Sequence, residues 1–304
     1  MNILVTGGAG FIGSNYVRHV LEATDAHVTT VDALTYAGNR SNFPDHDRHE
    51  FVEGDITNRE LVNDLVVDAD QIVNFAAESH VDRSIDGAAT FVQSNVEGVA
   101  TLLDACVEHG IDRFVQISTD EVYGEIAEGE FVEGDKLTPR NPYAATKAGA
   151  DLLSRSYHVT HDVPVVITRS SNNYGPRQHT EKLIPKLIRR ASNGDTLPIY
   201  GDGSNVREWT YVTDNCRAVE TVRQNGETGE VYNIGSGDEQ TNLEIARTVC
   251  AAVDASEDLI EFVEDRPGHD QRYALDTQRV RTLGWEPTVS FEEGLAKTVA
   301  YYRE

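Results

Sequence analysis

A tyrosine and a lysine four residues apart have the types and the spacing for redox chemistry. Tyr143 and Lys147 stand at the start of a predicted helix, so both side chains project from one face. An ammonium beside a phenol lowers the pKa of that phenol from its usual value of about 10. Such a tyrosine can take a proton from a sugar hydroxyl while a hydride leaves. A surface pair is the alternative, but a position after a strand and its loop favours catalysis.

A second candidate group stands where a predicted strand ends. Thr119, Asp120 and Glu121 follow the apolar stretch Arg113–Ile117. In a chain with 51 acidic residues, an adjacent Asp and Glu are most simply part of a solvated loop. Their position favours another interpretation, because the C-terminal ends of strands form the ligand crevice of open α/β sheets. One carboxyl group can act there as base and the other as acid, if their surroundings separate their pKa values.

Glycines near the N-terminus predict a site for a pyrophosphate. Gly7, Gly10 and Gly13 follow the first predicted strand and open a helix. The early glycines let the backbone turn tightly and approach phosphate, and the last one lets the helix pack on the sheet. Asp32 closes the second strand 19 residues after Gly13. A carboxylate there accepts hydrogen bonds from ribose hydroxyls and repels a 2′-phosphate, which predicts NAD rather than NADP as cofactor.

Strand and helix signals alternate through the first half of the chain and provide the frame for these residues. Short β-branched runs predict strands, and the longer stretches between them predict helices. The strands are Asn2–Thr6, Val28–Asp32, Gln71–Phe75, Arg113–Ile117 and Val163–Thr168, and the helices are Ser14–Ala23, Asn58–Val66, Ala88–Glu108 and Tyr143–His161. This order predicts an α/β fold, a Rossmann-type doubly wound parallel sheet with a smaller α/β substrate-binding domain. We assign residues 1–170 and 205–236 to the NAD-binding domain and residues 171–204 and 237–304 to the nucleotide-sugar-binding domain.

The charge balance argues against several classes of partner. The 304 residues include 26 basic and 51 acidic ones, a formal net charge of −25, so nucleic acid and anionic membrane surfaces are repelled. Five of the basic residues are lysines, and this carboxylate-rich, lysine-poor composition resembles that of proteins from salt-loving organisms. Since molar salt screens self-repulsion, we hypothesise that folding requires high salt. A merely acidic protein without salt dependence is the alternative.

Other features of the sequence predict a cytoplasmic protein. The three cysteines Cys106, Cys216 and Cys250 are too few and too widely spaced for a disulfide framework or a metal knuckle, so no metal site is expected. The N-terminal segment lacks the basic region and cleavage site of a secretory signal. No apolar run reaches the roughly 18 residues of a membrane span. We therefore expect the reducing cytoplasm and no membrane partner.

Several distinctive segments, spread along nearly the whole chain, match those of a known family. They are GGAGFIGS (residues 7–14), DALTYAGN (32–39), AAESHVDRSI (76–85), STDEVYG (118–124), YAATK (143–147), SNNYGP (171–176), EKLIP (181–185), LPIYGDG (197–203) and DRPGHDQRY (265–273). The chain thereby resembles the extended short-chain dehydrogenase/reductase family and, within it, the dTDP-glucose 4,6-dehydratases. The resemblance implies an NAD-dependent lyase that oxidises C4 of dTDP-glucose, eliminates water across C5 and C6, and returns the hydride to C6. Its product would be dTDP-4-keto-6-deoxyglucose, for the synthesis of rhamnose-type deoxysugars.

The resemblance also implies roles for individual residues. Asp120 would protonate the departing C6 hydroxyl, and Glu121 would remove the C5 proton. Thr119 and Tyr143 would hold the C4 oxygen, with Tyr143 as the base, and Lys147 would hold the nicotinamide ribose and tune Tyr143. The positions that match cofactor-binding residues are Gly7, Gly10, Phe11, Ile12, Gly13, Asp32, Asp55, Ile56, Ala76, Ala77, Ser94, Tyr143, Lys147 and Asn173. Those that match nucleotide-sugar-binding residues are His80, Thr119, Asn172, Lys182, Leu183, Pro198, Tyr200, Arg207, Asn242, Arg266 and His269, with both arginines expected on the diphosphate.

Some positions depart from the family pattern and leave the nucleotide base open. Ala33 stands where a lysine is common, Glu208 replaces an aspartate, and residues 177–180 replace an aromatic–proline stretch. A 4-epimerase or glucuronate decarboxylase shares the glycine loop and the tyrosine–lysine pair without needing the two carboxyl groups. A non-catalytic NAD-binding scaffold is a further alternative. Relatives pair through two long helices, so a homodimer is expected, although the apolar stripes of these helices can equally belong to the core.

Overall fold

The computed structural model describes residues 1–265 and 267–303, and its strands fall into one large and two small sheets. In chain order the described strands are β1 (Asn2–Thr6), β2 (His27–Asp32), β3 (His49–Glu53), β4 (Gln71–Asn74), β5 (Arg113–Thr119), β6 (Val165–Ser170), β7 (Asn172–Tyr174), β8 (Leu197–Tyr200), β9 (Val206–Tyr211), β10 (Val231–Ile234), β11 (Glu239–Thr241) and β12 (Ile260–Val263). The large sheet has the order β10-β6-β5-β4-β1-β2-β3, and all its pairs are parallel. The predicted doubly wound parallel sheet is confirmed.

Helices cover both faces of the large sheet. The described α-helices are α1 (Phe11–Ala23), α2 (Arg59–Val66), α3 (Val81–Asp86), α4 (Ala89–Val92), α5 (Gly98–His109), α6 (Pro142–His161), α7 (Leu183–Asn193), α8 (Val212–Asn225), α9 (Asn242–Ala252), α10 (Gln278–Thr282) and α11 (Phe291–Arg303). Alternate residues of β1 point to opposite faces: Ile3 and Val5 join the core beneath α1 and α8, whereas Leu4 joins the core beneath α2 and α5. Burial on both faces explains why the strands read as continuous apolar runs.

The chain order reverses between β1 and β4, and this reversal places the functional residues. Successive strands run outward from β1 through β2 to β3 on one side and from β4 to β10 on the other. Ligands of open α/β sheets bind outside the carboxyl ends of the strands at such a reversal. The residues that follow β1, β2, β4 and β5 therefore meet at one edge.

A smaller domain covers this edge, and its composition corrects part of the predicted domain boundaries. The sheet β11-β9-β7, the pair β12-β8 and helices α7, α9 and α11 enclose a separate apolar core. Val206–Tyr211 had been expected in the NAD-binding domain, but it pairs with β7 and β11 and so belongs to the smaller sheet. Conversely, Val280 and Trp285 were expected in the smaller domain and instead pack into the core of the large sheet. Strand pairing and core packing between distant parts of the chain, rather than proximity in the sequence, decide these assignments.

Most acidic side chains stay at the surface. In the described part of the chain, no helix is both long and apolar enough to cross a membrane. The buried carboxyl groups there belong to Asp120, Asp151, Glu208, Asp214, Glu220 and Asp270, six of the 51 acidic residues. A net charge of −25 is therefore concentrated on the solvated surface, where salt can screen it.

We predict that the thermal stability of the protein rises with KCl concentration. Molar salt shortens the screening length to about 3 Å, which removes most of the repulsion between surface carboxylates. A gain of about 1 kcal/mol in the free energy of unfolding raises the melting temperature by about 2–4 °C in domains somewhat smaller than this chain. For a gain of a few kcal/mol, we expect the melting temperature to rise on the order of 10 °C. Calorimetry in KCl, with sucrose at matched osmolarity as control, measures this. A melting temperature that stays constant up to molar KCl contradicts the hypothesis.

Candidate active site

A cavity of about 750 Å³ lies between the edge of the large sheet and the smaller domain. Every predicted catalytic, cofactor-binding and substrate-binding residue in the described part of the chain lines it. Arg266, predicted on the diphosphate, lies outside the described residues. The sequence thus brings together residues from positions 7 to 269 in one cavity, although the role of each residue is still a prediction. Within the described ranges, no three His, Cys, Asp or Glu side chains are grouped to hold a metal ion.

The glycine loop between β1 and α1 leaves room for a phosphate group. Gly7 has a φ of +66°, and a Cβ there would lie 2.5 Å from the backbone nitrogen of Ala76, so a side chain is excluded. A Cβ at Gly13 would collide with the carbonyl oxygen of Gly7, which explains how closely α1 approaches the loop. No described side chain caps the first turn of α1, where Phe11 and Ile12 line the cavity. Backbone N–H groups at a helix start favour an anion, so the loop fits the pyrophosphate of a dinucleotide.

Asp32 is held at the end of β2 by two backbone groups. The nitrogen of Ala9 donates to one carboxylate oxygen at 2.9 Å, and that of Leu34 donates to the other at 2.8 Å. Burial raises the pKa of Asp32, and these two hydrogen bonds partly offset that effect. Each carboxylate oxygen keeps a lone pair for a ribose hydroxyl. The geometry therefore fits the predicted preference for NAD.

Tyr143 and Lys147 project from the first turns of α6. Asn141 caps this helix by accepting a hydrogen bond from the nitrogen of Ala144 at 2.8 Å, and a proline follows at the first helical position. Lys147 donates from Nζ to the carbonyl oxygen of Ile117 at 2.6 Å, and burial lowers the pKa of Lys147 to about 8. The two side chains thus reach the same cavity wall, as their spacing predicts.

Lys147 is expected to lower the pKa of Tyr143, but the polypeptide alone raises this pKa. Burial and, next, the negative charge of Glu121 raise the pKa of Tyr143, while a hydrogen bond with Thr119 opposes the shift. The ammonium of Lys147 is bonded to the carbonyl of Ile117 instead. The prediction of a lowered pKa for Tyr143 is therefore wrong for the chain by itself. Helical spacing shows that two side chains lie on one face, but it does not show how deeply they are buried.

The two candidate carboxyl groups lie in different surroundings on one 3-10 turn, Asp120–Tyr123. Asp120 is only 2% exposed, accepts a hydrogen bond from the hydroxyl of Thr119 at 3.1 Å, and its other oxygen has no partner among the described residues. Burial, followed by the charge of Glu121, raises the pKa of Asp120 well above the usual range, which favours the protonated acid. Glu121 accepts a hydrogen bond from the side chain of Asn141 at 2.9 Å. The arrangement provides one proton donor beside one candidate base.

Basic residues lie on the side of the cavity formed by the smaller domain. Lys182 donates to the carbonyl oxygen of Ser79 at 2.9 Å, at the start of α7. The guanidinium of Arg207 donates to the carbonyl oxygens of Val206 at 2.7 Å and Asp270 at 2.8 Å. It also lies over the ring of Tyr273, 4.5 Å from the ring centre. Both cations are therefore fixed in place, which favours recognition of an anionic group, and their predicted contact with a diphosphate stays a prediction.

Sequence reasoning missed residues that orient the site. Asn141 both caps α6 and holds Glu121, so it links the two candidate catalytic groups. Its place directly before a proline and a helix is the signal that predicts the cap. Asn95 lies in the π-helical turn Gln93–Glu97, which interrupts the single long helix expected there, and it donates to the hydroxyl of Thr146 at 2.9 Å. No sequence signal identifies that contact.

Comparison with known proteins agrees with this fold and this site. The model of the GDP-mannose 4,6 dehydratase family matches residues 4–298. The chain is 66% identical over 305 residues to the low-salt glycan biosynthesis protein Agl12 of Haloferax volcanii, which covers 99% of this chain and 98% of that protein. It is 50% identical over 313 residues to a dTDP-glucose 4,6-dehydratase of Streptomyces niveus, covering 100% and 93%. The solved structure of DesIV, the dTDP-glucose 4,6-dehydratase of Streptomyces venezuelae with NAD and TYD bound, is similar with a TM-score of 0.98 and 49% identity, covering 100% and 97%.

The fold and the site together define an extended short-chain dehydrogenase/reductase with a Rossmann-type sheet. The chain belongs to the GDP-mannose 4,6 dehydratase family. The predictions of NAD as cofactor and of an NAD-dependent nucleotide-sugar hydro-lyase are confirmed. The particular sugar nucleotide and the pathway are not decided by these similarities, since the relatives carry different names.

We predict that Asp32→Asn weakens NAD binding. The substitution keeps the shape of the side chain but removes the charge that strengthens hydrogen bonds to ribose hydroxyls, and charged hydrogen bonds contribute about 1.5–3 kcal/mol. We therefore expect the Kd for NAD to rise by about 10- to 100-fold. Titration calorimetry with cofactor-stripped protein measures this, and Asp25→Asn, an exposed aspartate outside the cavity, is the control. An unchanged Kd contradicts the role of Asp32.

Proposed function

We propose that this protein is a dTDP-glucose 4,6-dehydratase that forms dTDP-4-keto-6-deoxyglucose. The observation that carries the proposal is the pair of carboxyl groups, Asp120 and Glu121, in one cavity with Tyr143 and Lys147. A simple oxidoreductase needs only the second pair. An elimination of water needs an acid and a base in addition. Burial raises the pKa of Asp120, which suits this residue to the role of the acid.

Oxidation at C4 makes the later elimination feasible. A C5 proton of a sugar is too weakly acidic for a carboxylate, whereas a proton beside a ketone ionises to a stabilised enolate. NAD, when bound, would supply a positively charged acceptor for the hydride of C4 and, once reduced, the donor of that hydride to C6. Tyr143 takes the proton of the C4 hydroxyl as a phenolate. Because the chain alone raises the pKa of Tyr143, this form needs the positive charge of bound NAD⁺, with the ammonium of Lys147 in the lining of the same cavity.

Elimination then uses the turn after β5. Glu121 removes the C5 proton, and Asp120 gives its proton to the C6 hydroxyl, which leaves as water. After the hydride reaches C6, Glu121 returns a proton to C5, so the sugar has lost one water. Tyr143 has then gained one proton and Asp120 has lost one. Transfer of a proton from Tyr143 to Asp120 restores both side chains.

The alternatives account less well for these features. A 4-epimerase or a glucuronate decarboxylase has no step that requires a buried acid next to a base, yet Asp120 keeps one oxygen without a partner among the described residues. Burying such a group costs stability, which favours a function for it. A non-catalytic scaffold has no need of Lys147 in a buried position with a lowered pKa.

We also propose that the enzyme works as a cytoplasmic homodimer and supplies deoxysugars, such as rhamnose-type sugars, for glycans. Supporting the location, the cysteines of the described chain are buried and free. Supporting the dimer, α6 exposes Leu152 (59%) and Val159 (72%), which are seven residues apart and so lie on one face. The neighbouring helices α4 and α5 expose Val92 and Val107, and α5 packs beside α6, which gives an apolar surface suited to a second copy.

We predict that the protein converts dTDP-glucose to its 4-keto-6-deoxy product and moves deuterium from C4 to the new methyl group. The intramolecular return of hydride requires this transfer. Turnover of a panel of nucleotide-glucoses in high salt, followed by NMR of the product, measures both substrate and isotope position. A galactose product, or deuterium lost from the methyl group, contradicts the proposed function.

Glu121→Gln provides the matched variant for the same experiment. It keeps the hydrogen-bonding shape beside Asn141 but cannot take the C5 proton, so dehydration should fall by at least about 100-fold while NAD binding is retained. Glu128→Gln, an exposed glutamate outside the cavity, should keep full activity. Full activity in Glu121→Gln contradicts the role of this residue as base.

We predict that Leu152→Glu and Val159→Glu together convert the dimer to a monomer. Two carboxylates on each copy would face each other across the surface and would need to be desolvated. Sedimentation at micromolar concentration and high salt should show the mass of a dimer for the unaltered chain and half of it for the variant. Val67→Glu, at another exposed apolar position, is the control and should not change the mass. A monomeric parent protein contradicts the proposal.

A further inference from the structure

A buried arginine connects the two elements that carry the candidate catalytic groups. Arg169 on β6 donates from Nε to a carboxylate oxygen of Asp151 at 2.9 Å, and from Nη1 to the hydroxyl of Tyr123 at 2.9 Å. Asp151 is one helical turn after Lys147 on α6. Tyr123 ends the turn that begins at Asp120. One guanidinium therefore ties the helix of the tyrosine–lysine pair to the turn of the acid pair.

These three residues stand behind the cavity wall rather than in it. Asp151, Arg169 and Tyr123 are all buried, and the described lining of the cavity includes none of them. They are therefore not placed to touch a substrate. A buried ion pair contributes little net stability compared with apolar packing, so its presence here calls for an explanation in geometry.

The position of Tyr123 is fixed from several sides. Its hydroxyl donates to the side-chain oxygen of Asn233 on β10 at 2.8 Å, in addition to accepting from Arg169. Its ring stacks on that of Phe131, with centres 4.9 Å apart and planes inclined by 13°. The hydroxyl of Thr138 also bonds to the carbonyl oxygen of Tyr123. Few rotamers satisfy all of these contacts, so the turn has one defined position relative to α6.

A fixed position of the turn relative to α6 matters, because the proposed reaction uses side chains of the turn and of the helix on neighbouring carbons of one sugar. Tyr143 must reach the oxygen on C4, while Glu121 and Asp120 must reach C5 and C6. A displacement of about 1 Å, caused far from the chemistry, can slow an enzymatic step by about 100-fold. The relative position of α6 and the turn is therefore as important as each side chain alone.

We propose that Asp151, Arg169 and Tyr123 are positioning residues that hold the acid pair in register with the tyrosine–lysine pair. This inference rests on the proposed function. Loss of the Tyr123 hydroxyl slows elimination at C5 and C6 more than oxidation at C4, because the turn moves while α6, which packs along β5 and β6, stays in place.

Tyr123→Phe tests this role, and the chain offers a matched control. The variant removes one hydroxyl and keeps the ring on Phe131. Tyr16 is equally buried, and its hydroxyl donates at 2.8 Å to Glu220, which is itself paired with Arg223, in a network between α1 and α8 outside the cavity lining. Tyr16→Phe therefore removes a hydroxyl from the same kind of buried network without touching the turn.

The measurement is the deuterium isotope effect on kcat with dTDP-glucose labelled at C4 or at C5, together with the melting temperature and the Kd for NAD. For Tyr123→Phe we expect kcat to fall about 10- to 100-fold, the C5 effect to grow and the C4 effect to shrink toward one. NAD binding should change less than about twofold. For Tyr16→Phe we expect a similar loss of melting temperature but the isotope effects of the unaltered enzyme.

The outcomes separate the positioning role from a merely structural one. Unaltered isotope effects in Tyr123→Phe, or the same change in Tyr16→Phe, overturn the proposal. If Tyr123→Phe does not fold, Phe131→Leu, which loosens the ring of Tyr123 from its other side, must shift the isotope effects in the same direction, and no shift overturns the proposal. Failure of the proposed function appears differently, as an unaltered enzyme that forms no dehydrated product.

Discussion

Two adjacent carboxyl groups lie in different surroundings, and the proposed chemistry depends on this difference. Side chains at consecutive positions of a strand point to opposite faces, whereas the 3-10 turn after β5 lets both reach one cavity. Asp120 is buried beside Thr119, and this burial raises the pKa of Asp120, while Glu121 is half-buried and accepts a hydrogen bond from the side chain of Asn141. The proposed acid and the proposed base are thus neighbouring carboxyl groups that differ in their surroundings.

The negative charge of the whole chain opposes the binding of an anionic substrate, although several of its few cations line the cavity. A net charge of −25 repels a nucleotide sugar, whose diphosphate is also negative. Three of the five lysines, at positions 147, 182 and 186, nevertheless line the cavity, together with Arg207. Acidic side chains also line the cavity, so these cations act on parts of the lining and not on its charge as a whole. Screening by salt lowers the long-range repulsion while leaving short, partly buried contacts effective.

The sequence predicts the parts of the site that depend on local geometry and misses those that depend on burial. The glycine loop, Asp32 and the pair Tyr143 and Lys147 follow from turn chemistry, strand ends and helical spacing, and all of them meet in the cavity. The raised pKa of Tyr143 does not follow, because it depends on desolvation by distant parts of the chain. The same reason hides the contact between Arg169 and Tyr123, which are 46 residues apart. The sheet that contains Val206–Tyr211 is likewise decided by long-range pairing, which no local pattern reports.

That strand also explains how the smaller domain stays fixed on the cofactor-binding sheet. β9 ends at Tyr211 and α8 begins at Val212, so no linker separates the two domains at this crossing. Glu208 accepts hydrogen bonds from the nitrogens of Gly237 at 2.8 Å and Leu275 at 3.3 Å. A Cβ at Gly235 would collide with the carboxylate of Glu208, so the glycine makes room for this side chain. Because Arg207 precedes Glu208 on the same strand, the bonds that join the segments also fix a cation of the cavity, and the site is organised before a substrate arrives.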